Sequence, residues 1–207
     1  EDIGKINESW FRKPFIKRIC KKYGIKNYTI NPDGSIDVDG YVFLSQMGLT
    51  KLPLKFNHVS GYFYCDHNRL TTLEGSPQSV GGDFDCYHNK LTTLLGAPKS
   101  VGGTFYCEYN YLTTLEGSPK SVGGDFWCYG NNILTFEGAP NLVGYFDCLN
   151  NPIYNIWCLF RDYTKVELLN DLDPIRGKDL LMDRFNTFLS MIDKDEVESV
   201  KGYNCIN

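Results

Sequence analysis

The chain has 207 residues, of which 42% are hydrophobic and 22% charged, and its formal net charge is −4. This is the composition of an ordinary soluble protein of one domain, long enough to bury a core. No apolar run approaches the roughly 18 residues that a membrane span needs, and the N-terminus lacks the basic-then-apolar layout of a signal peptide. We therefore expect a cytoplasmic protein, with an initiator methionine or a longer leader once preceding Glu1.

Two helical pieces are predicted before residue 24. Ile3, Ile6 and Trp10 share a helical spacing, and Pro14 is well placed to begin a second helix that ends at Gly24. The apolar stripe of that second helix comprises Phe15, Ile16, Ile19, Cys20 and Tyr23.

The opposite face of this helical region is basic and comprises Arg12, Lys13, Lys17, Arg18, Lys21 and Lys22. Such a face can meet nucleic acid, an anionic membrane surface or an acidic protein. The simpler interpretation is the solvated face of a capping helix, because the chain as a whole is acidic and no aromatic residues interleave the charges.

A β-hairpin is predicted next, over residues 28–39. Two short alternating runs flank the turn sequence Asn-Pro-Asp-Gly at residues 31–34. A hairpin just before a repeat array can cover the open end of the first unit. We assign residues 1–40 as an N-terminal cap of helix and hairpin.

A repeat with a period of about 21 residues fills residues 41–151. Its pattern, clearest over residues 84–103, is Phe-x-Cys-x-x-Asn-x-Leu-Thr-Thr-Leu-x-Gly-x-Pro-x-x-Val-Gly-Gly. The first unit, residues 41–61, is disguised, with Leu44 in the cysteine slot and Met47 in the asparagine slot. The cysteine slot of the later units holds Cys65, Cys86, Cys107, Cys128 and Cys148. Because these cysteines would stack on neighbouring strands, we interpret them as small, reduced, buried residues rather than a disulfide framework.

Within each unit, Phe84 and Cys86 alternate with Asp83, Asp85 and Tyr87, so that one short strand directs two side chains inward and the others outward. Glycines and a proline in the remainder of the unit disfavour a helix on the convex side. The recurring asparagines should stack and bond the turning backbone of neighbouring units. They are Asn68, Asn89, Asn110, Asn131 and Asn151.

The spacing Phe-x-Cys-x-x-Asn-x-Leu resembles the Leu-x-Leu-x-x-Asn/Cys-x-Leu consensus of leucine-rich repeats. More narrowly, three stretches resemble a largely uncharacterised family of short-repeat proteins from tailed bacteriophages. They are the Asp-Gly-Ser-Ile-Asp-Val-Asp lead-in, the Thr-Thr-Leu-Glu-Gly-Ser-Pro-x-Ser-Val-Gly-Gly units and the Val-Lys-Gly-Tyr-Asn-Cys-Ile tail. The resemblance implies an α+β, leucine-rich-repeat-like parallel β-solenoid with one strand per unit and helical caps at both ends. It also implies a phage-encoded protein in the bacterial host cytoplasm.

The period changes to that of helices over residues 154–192, with breaks at Asp173-Pro174 and Gly177. We expect two or three helices there, an acidic tail strand near residues 197–206, and Trp157 and Cys158 in the core of the cap. Residues 152–207 are therefore assigned as a helical C-terminal cap.

The outward slots beside the cysteine vary between units and are filled mostly by Tyr, Trp, Asp and Glu. Tyrosine and tryptophan give rigid, amphipathic contact area, and carboxylates favour a basic partner over a nucleic-acid backbone. The alternative is that the tyrosines only cover the sheet while the acids keep it soluble. We predict a protein-binding surface made of Tyr64, Asp66, Asp85, Tyr87, Tyr106, Glu108, Trp127, Tyr129 and Asp147.

Other functions remain open on this evidence. Asp66, Asp83, Asp85 and Glu108 could form acid–base pairs for polysaccharide cleavage, although no carboxylate is obviously desolvated. His67 and His88 would stack and could bind a divalent metal, but repeat duplication explains them more simply. A self-assembling virion protein is a third possibility, although both ends look capped.

The sequence-based conclusion is a non-enzymatic binding protein with no cofactor and no metal. We expect its partner to be a protein with a basic or mixed patch, such as a bacterial host or defence protein, and not a nucleic acid or a membrane.

Overall fold

The computed structural model describes residues 8–207, with side chains from residue 12 onward. Helix α1 runs over Glu8–Lys22 without a break and contains Pro14, so the prediction of a separate helix beginning at Pro14 is wrong. A proline removes one backbone hydrogen bond but does not by necessity end a helix. The predicted spacing of Ile3 and Ile6, like the side chain of Trp10, lies outside the described residues.

The buried stripe of α1 contains fewer residues than the predicted apolar stripe. Ile16 and Cys20 are buried, whereas the Phe15 side chain is 50% exposed and lies under the guanidinium of Arg18. The basic residues of the helix face solvent. Helix α1 therefore packs on the core by a short stripe and leaves a charged outer face.

The predicted N-terminal hairpin is confirmed. Strand β1 (Tyr28–Ile30) pairs antiparallel with β2 (Ile36–Val38), and Asp33 Oδ1 accepts a 3.0 Å bond from the Ser35 amide in the turn. Strand β2 then pairs in parallel with the first repeat strand on its other side. The hairpin thus continues a repeat sheet and covers its first edge.

The repeats form a solenoid of two parallel sheets, one along each side of a shared core. The first sheet continues from the hairpin through β4 (Phe56–Val59), β6 (Ser79–Val80), β8 (Ser100–Val101), β10 (Ser121–Val122) and β12 (Asn141–Leu142). The second consists of β3 (Val42–Phe43), β5 (Phe63–Tyr64), β7 (Phe84–Asp85), β9 (Phe105–Tyr106), β11 (Phe126–Trp127) and β13 (Phe146–Asp147).

Each complete unit therefore contributes two strands, the shortened last unit contributes β13 alone, and the prediction of one strand per unit is wrong. In β6, β8 and β10 the additional strand ends in the buried valine of the Val-Gly-Gly segment, whereas in β12 Leu142 takes that place and Val143 is 83% exposed. A Cβ on Gly81 would lie 2.1 Å from the Ser60 carbonyl oxygen, and one on Gly102 would lie 2.2 Å from that of Gly81. Glycine lets successive units approach closely enough for this strand to pair. The non-helical convex side is confirmed, since residues 41–151 contain strands and turns but no helix.

A column of phenylalanines runs through the centre of the solenoid. The rings of Phe63, Phe84, Phe105 and Phe126 are fully buried and stack with centroid separations of 5.4, 5.3 and 5.2 Å. Parallel pairing in register places identical residues above each other, Phe84 opposite Phe105 for example. Each such ring removes roughly 150–250 Å² from water, so this column is a major stabilising element.

The five repeat cysteines are also fully buried, and none of the chain's eight cysteines, which all lie in the described part, forms a disulfide. The thiol of Cys86 donates to the Tyr106 carbonyl at 3.2 Å, and that of Cys107 to the Trp127 carbonyl at 3.4 Å. Burial raises the pKa of both thiols well above the usual range. They therefore act as small core residues that are inert at neutral pH.

The asparagine ladder is confirmed. Asn89 Nδ2 donates to the Cys86 carbonyl of its own unit at 3.1 Å and to the Cys65 carbonyl of the preceding unit at 3.0 Å. Its Oδ1 accepts from the Leu70 amide at 2.9 Å. The same bonds recur at Asn110, Asn131 and Asn151. Each side chain replaces backbone partners that the corner cannot supply.

The C-terminal cap, residues 152–207, contains three α-helices, a short 3-10 helix at Tyr163–Lys165 and a small sheet. The helices are α2 (Tyr154–Phe160), α3 (Val166–Leu172) and α4 (Met182–Met191), and the strands are β14 (Ile175–Arg176), β15 (Asp179–Leu181) and β16 (Asn204–Ile206). Strand β16 confirms the predicted tail strand. Trp157 lies in the core as predicted, but Cys158 is only half-buried, so its assignment to the core is wrong.

Candidate functional site: an aromatic and acidic face

The outer side of the second sheet carries four columns of side chains, which we call the aromatic–acidic face. It comprises Tyr41, Phe43, Tyr62, Tyr64, Asp66, His67, Asp83, Asp85, Tyr87, His88, Thr104, Tyr106, Glu108, Tyr109, Asp125, Trp127, Tyr129, Tyr145, Asp147 and Leu149. The alternation of each strand turns Phe and Cys inward and these residues outward. In-register pairing then aligns them in columns across six strands.

The aromatic residues predicted for the partner surface lie together in this face. Tyr64, Tyr87, Tyr106, Trp127 and Tyr129 are all half-buried at their predicted outward positions. The rings of Tyr106 and Trp127 lie 6.0 Å apart, and those of Trp127 and Tyr129 6.2 Å apart. These contacts hold the rings in place, so binding through them would require little further ordering.

Several exposed rings of the face are not among the residues predicted from the sequence. Tyr41 and Phe43 are 61% and 47% exposed and extend the columns into the first unit, where Phe43 contacts Tyr64 at 5.4 Å. Tyr109 is 46% exposed and contacts Tyr129. The signal for Tyr41 and Phe43 was available, because they occupy the outward slots of the disguised first repeat.

The carboxylates of the face are partly used by the fold itself. Asp85 Oδ1 accepts from the Tyr87 amide at 2.8 Å, and Asp147 Oδ1 accepts from the Leu149 amide at 2.9 Å. In another column, Asp83 Oδ1 accepts from the Thr104 amide of the next unit at 2.8 Å. Asp85 and Asp147 were predicted as partner contacts and Asp83 as a member of an acid–base pair, but each already stabilises a backbone amide with one oxygen.

Asp66 is held by two side chains. Its Oδ1 accepts from the Ser45 hydroxyl, and its Oδ2 lies 2.9 Å from His67 Nδ1. The His67 and His88 rings are 5.1 Å apart. Within residues 8–207, no group of three or more His, Cys, Asp or Glu side chains is arranged to hold a metal ion.

Glu108 does not project into solvent, contrary to the expectation for its slot. It is 3% exposed, and its Oε2 has no hydrogen-bond partner among the described residues. Burial raises the pKa of Glu108 to about 8 and that of Asp85 to about 6. In each case a hydrogen bond from a backbone amide opposes this rise in pKa, and repulsion from neighbouring acids adds to it. The sequence-based statement that no carboxylate is desolvated is therefore wrong.

The face carries six acidic side chains and, apart from His67 and His88, no basic ones. Its columns contain Asp66, Asp83, Asp85, Glu108, Asp125 and Asp147 but no Lys or Arg. The basic residues of α1 lie instead at the N-terminal end of the solenoid. A surface of this kind favours a partner that contributes positive charge.

No helix of the described chain is long and apolar enough to cross a membrane. No family model matches the sequence, and no curated protein or solved structure is significantly similar to it.

Proposed function

We propose that this chain is a non-enzymatic protein-binding repeat protein, and that the aromatic–acidic face engages a protein with a basic or mixed patch. The observation that carries the proposal is the contrast between the two sides of the second sheet. Core slots repeat the same Phe and Cys, whereas the outward slots vary and hold contiguous, partly exposed rings. Monomeric proteins rarely expose such continuous aromatic surface without a use for it.

The nature of the partner is a further part of the proposal. The resemblance to leucine-rich-repeat-like proteins of tailed bacteriophages supports a phage-encoded protein that works in the bacterial host cytoplasm. A host or defence protein is then the natural target. Aromatic residues held by their neighbours would act as anchors, and the acids around them would select the basic patch.

The first test is capture of a partner from bacterial lysate by wild type and by a Tyr106→Ala, Trp127→Ala double variant. Buried aromatic anchors typically contribute about 2 kcal/mol or more each to binding. We expect the double variant to lose at least about tenfold in affinity for any specific partner, measured by calorimetry with the purified protein.

Phe15→Ala is the matched control, since it removes an exposed ring from α1, away from the face. It should capture the partner as wild type does. Equal capture by all three proteins would contradict the proposed face. The binding surface would then have to be sought on α1 or on the opposite sheet.

A carbohydrate-binding or carbohydrate-cleaving solenoid is the second candidate, favoured by one observation. With a pKa of about 6 at Asp85 and about 8 at Glu108, the first is ionised and the second protonated at pH 7. Glycoside hydrolysis needs a pair in these two charge states. Incubation with an oligosaccharide panel tests it: cleavage by wild type but not by Glu108→Gln would favour this candidate over protein binding.

A further inference from the structure

Glu108 is a buried carboxyl without a counter-charge. Its side chain is 3% exposed, and Oε2 has no hydrogen-bond partner in the described part of the chain. A buried polar atom left unsatisfied costs about 1–3 kcal/mol, and more when it is charged. The structure of the solenoid does not require an acid there, because the same slot holds Tyr87 in the preceding unit and Tyr129 in the following one.

Aromatic rings surround this carboxyl. Tyr87, Glu108 and Tyr129 occupy equivalent positions on successive units, which in parallel sheets lie about 4.8 Å apart. The ring of Tyr109 contacts the Tyr87 ring edge-on at 5.5 Å and the Tyr129 ring edge-on at 5.2 Å. Trp127 extends the group, with its ring 6.2 Å from that of Tyr129. The slot of Glu108 thus lies between two tyrosine slots, and the Tyr109 ring contacts the rings on both sides of it.

The titratable groups that act electrostatically with Glu108 are all acids. They come from its own strand and from the strands on both sides, and they are Asp85, Cys86, Tyr106, Cys107, Cys128, Tyr129 and Asp147. No Lys, Arg or His is among them. When Glu108 ionises, none of these groups in the described part of the chain offers it a positive charge.

We propose that Glu108, with the rings of Tyr87, Tyr109 and Tyr129 around it, forms a subsite for one arginine side chain of the protein partner. The proposal rests on the protein-binding function proposed above and identifies what its central contact recognises. A guanidinium is planar, stacks on aromatic faces and matches a carboxylate with two parallel hydrogen bonds. It would supply both the missing counter-charge and the missing donors for Oε2.

Binding of an arginine side chain at this subsite is coupled to the release of one proton from Glu108. In the free protein at pH 7 the Glu108 carboxyl holds its proton, because burial raises its pKa to about 8. As the guanidinium enters, the carboxyl releases that proton to the buffer and pairs as a carboxylate. Tyr109 is 46% exposed and is the outermost of the three tyrosines, so its ring is the one that would have to move to admit the side chain.

The expected pH dependence follows from the ionised fraction. With a pKa of about 8, roughly 1% of Glu108 is ionised at pH 6 and roughly 90% at pH 9. Affinity that requires the ionised form scales with that fraction, so an arginine ligand should bind about 90-fold more tightly at pH 9 than at pH 6. The dependence should be tenfold per pH unit below the pKa and should level off above it.

The experiment uses Nα-acetyl-arginine amide as the probe and Nα-acetyl-citrulline amide, its neutral analogue of the same shape, as the control. The protein is labelled with ¹³C at the glutamate carboxyls, and the Glu108 resonance is assigned by its loss in Glu108→Gln. We expect the arginine probe to lower the Glu108 pKa by one unit or more and the citrulline probe to leave it in place. The Glu108→Gln variant, checked for a native-like spectrum, should bind both probes equally weakly.

No response of the Glu108 resonance to the arginine probe, or an equal response to citrulline, overturns the subsite. That result would leave the proposed function standing, because partner capture and its dependence on Tyr106 and Trp127 are measured without the probe. Conversely, an arginine response without any captured partner would support the subsite while contradicting protein binding by the wider face.

Discussion

Replacement of Glu108 by glutamine should stabilise the protein, by an amount that grows as the pH rises. The folded-state pKa of Glu108 is raised by burial from 4.5 to about 8. Below about pH 4.5 both folded and unfolded chains hold the proton, so the variant and wild type should differ little. Between about 4.5 and 8 the unfolded chain loses the proton first, and wild type therefore loses stability that the glutamine variant retains.

The stabilisation by Glu108→Gln should reach the order of 5 kcal/mol above pH 8 and then stay constant, because each unit of the pKa difference between 4.5 and about 8 corresponds to about 1.4 kcal/mol. Urea unfolding at a series of pH values measures it. The matched control is Glu116→Gln, which removes an exposed carboxyl from the same unit. A Glu108→Gln effect that is the same at pH 4 and pH 9 would contradict the burial of an uncompensated acid at this position.

The Asn110→Ala variant should lose on the order of 4 kcal/mol of unfolding free energy. Asn110 Nδ2 lies 3.1 Å from the carbonyl oxygens of both Cys86 and Cys107, and Oδ1 accepts from the Leu91 amide at 3.0 Å. These are buried backbone groups on two successive units. Each group left without a partner costs about 1–3 kcal/mol, so the sum is large for a single substitution.

Asn132→Ala is the control for that experiment, because its side chain is exposed and lies one unit further along the same solenoid. We expect a change within about 0.5 kcal/mol for it. Urea unfolding gives the dependence of the unfolding free energy on urea concentration for each variant. If this slope is the same for Asn110→Ala and wild type, the change is one of stability and not of compactness. A small effect at Asn110 would mean that the ladder is not a stabilising element.

The sequence predicted more about the core of the solenoid than about its surface. The repeat period alone identified the buried column that includes Phe105, the buried cysteines and the hydrogen bonds of the asparagines. It could do so because each residue of a repeat lies next to the equivalent residue of the neighbouring unit. It missed the second strand of each unit. After the first unit that strand is only two residues long, and it forms because Gly81 and its equivalents let the neighbouring backbone come close.

The caps were predicted less well than the repeats because they have no internal copies for comparison. The hairpin and the tail strand were recognised from turn residues and alternation. The sequence did not predict that α1 continues through Pro14, that Phe15 is exposed or that Cys158 is partly exposed. Each depends on which neighbouring element covers the residue, and that is decided by packing between distant parts of the chain.

The candidate site likewise has features that the sequence predicted and features that depend on packing. Strand alternation and a fixed period assigned most outward slots a direction and a neighbour from the sequence alone, although Tyr41, Phe43 and Tyr109 were not among the predicted residues. What those residues do in the columns followed from packing between units, which the sequence pattern does not show. Whether a carboxyl such as Glu108 is solvated or buried, and whether one such as Asp85 bonds the backbone, depends on the side chains of the units before and after it, about 21 residues away in the chain but about 4.8 Å away in space.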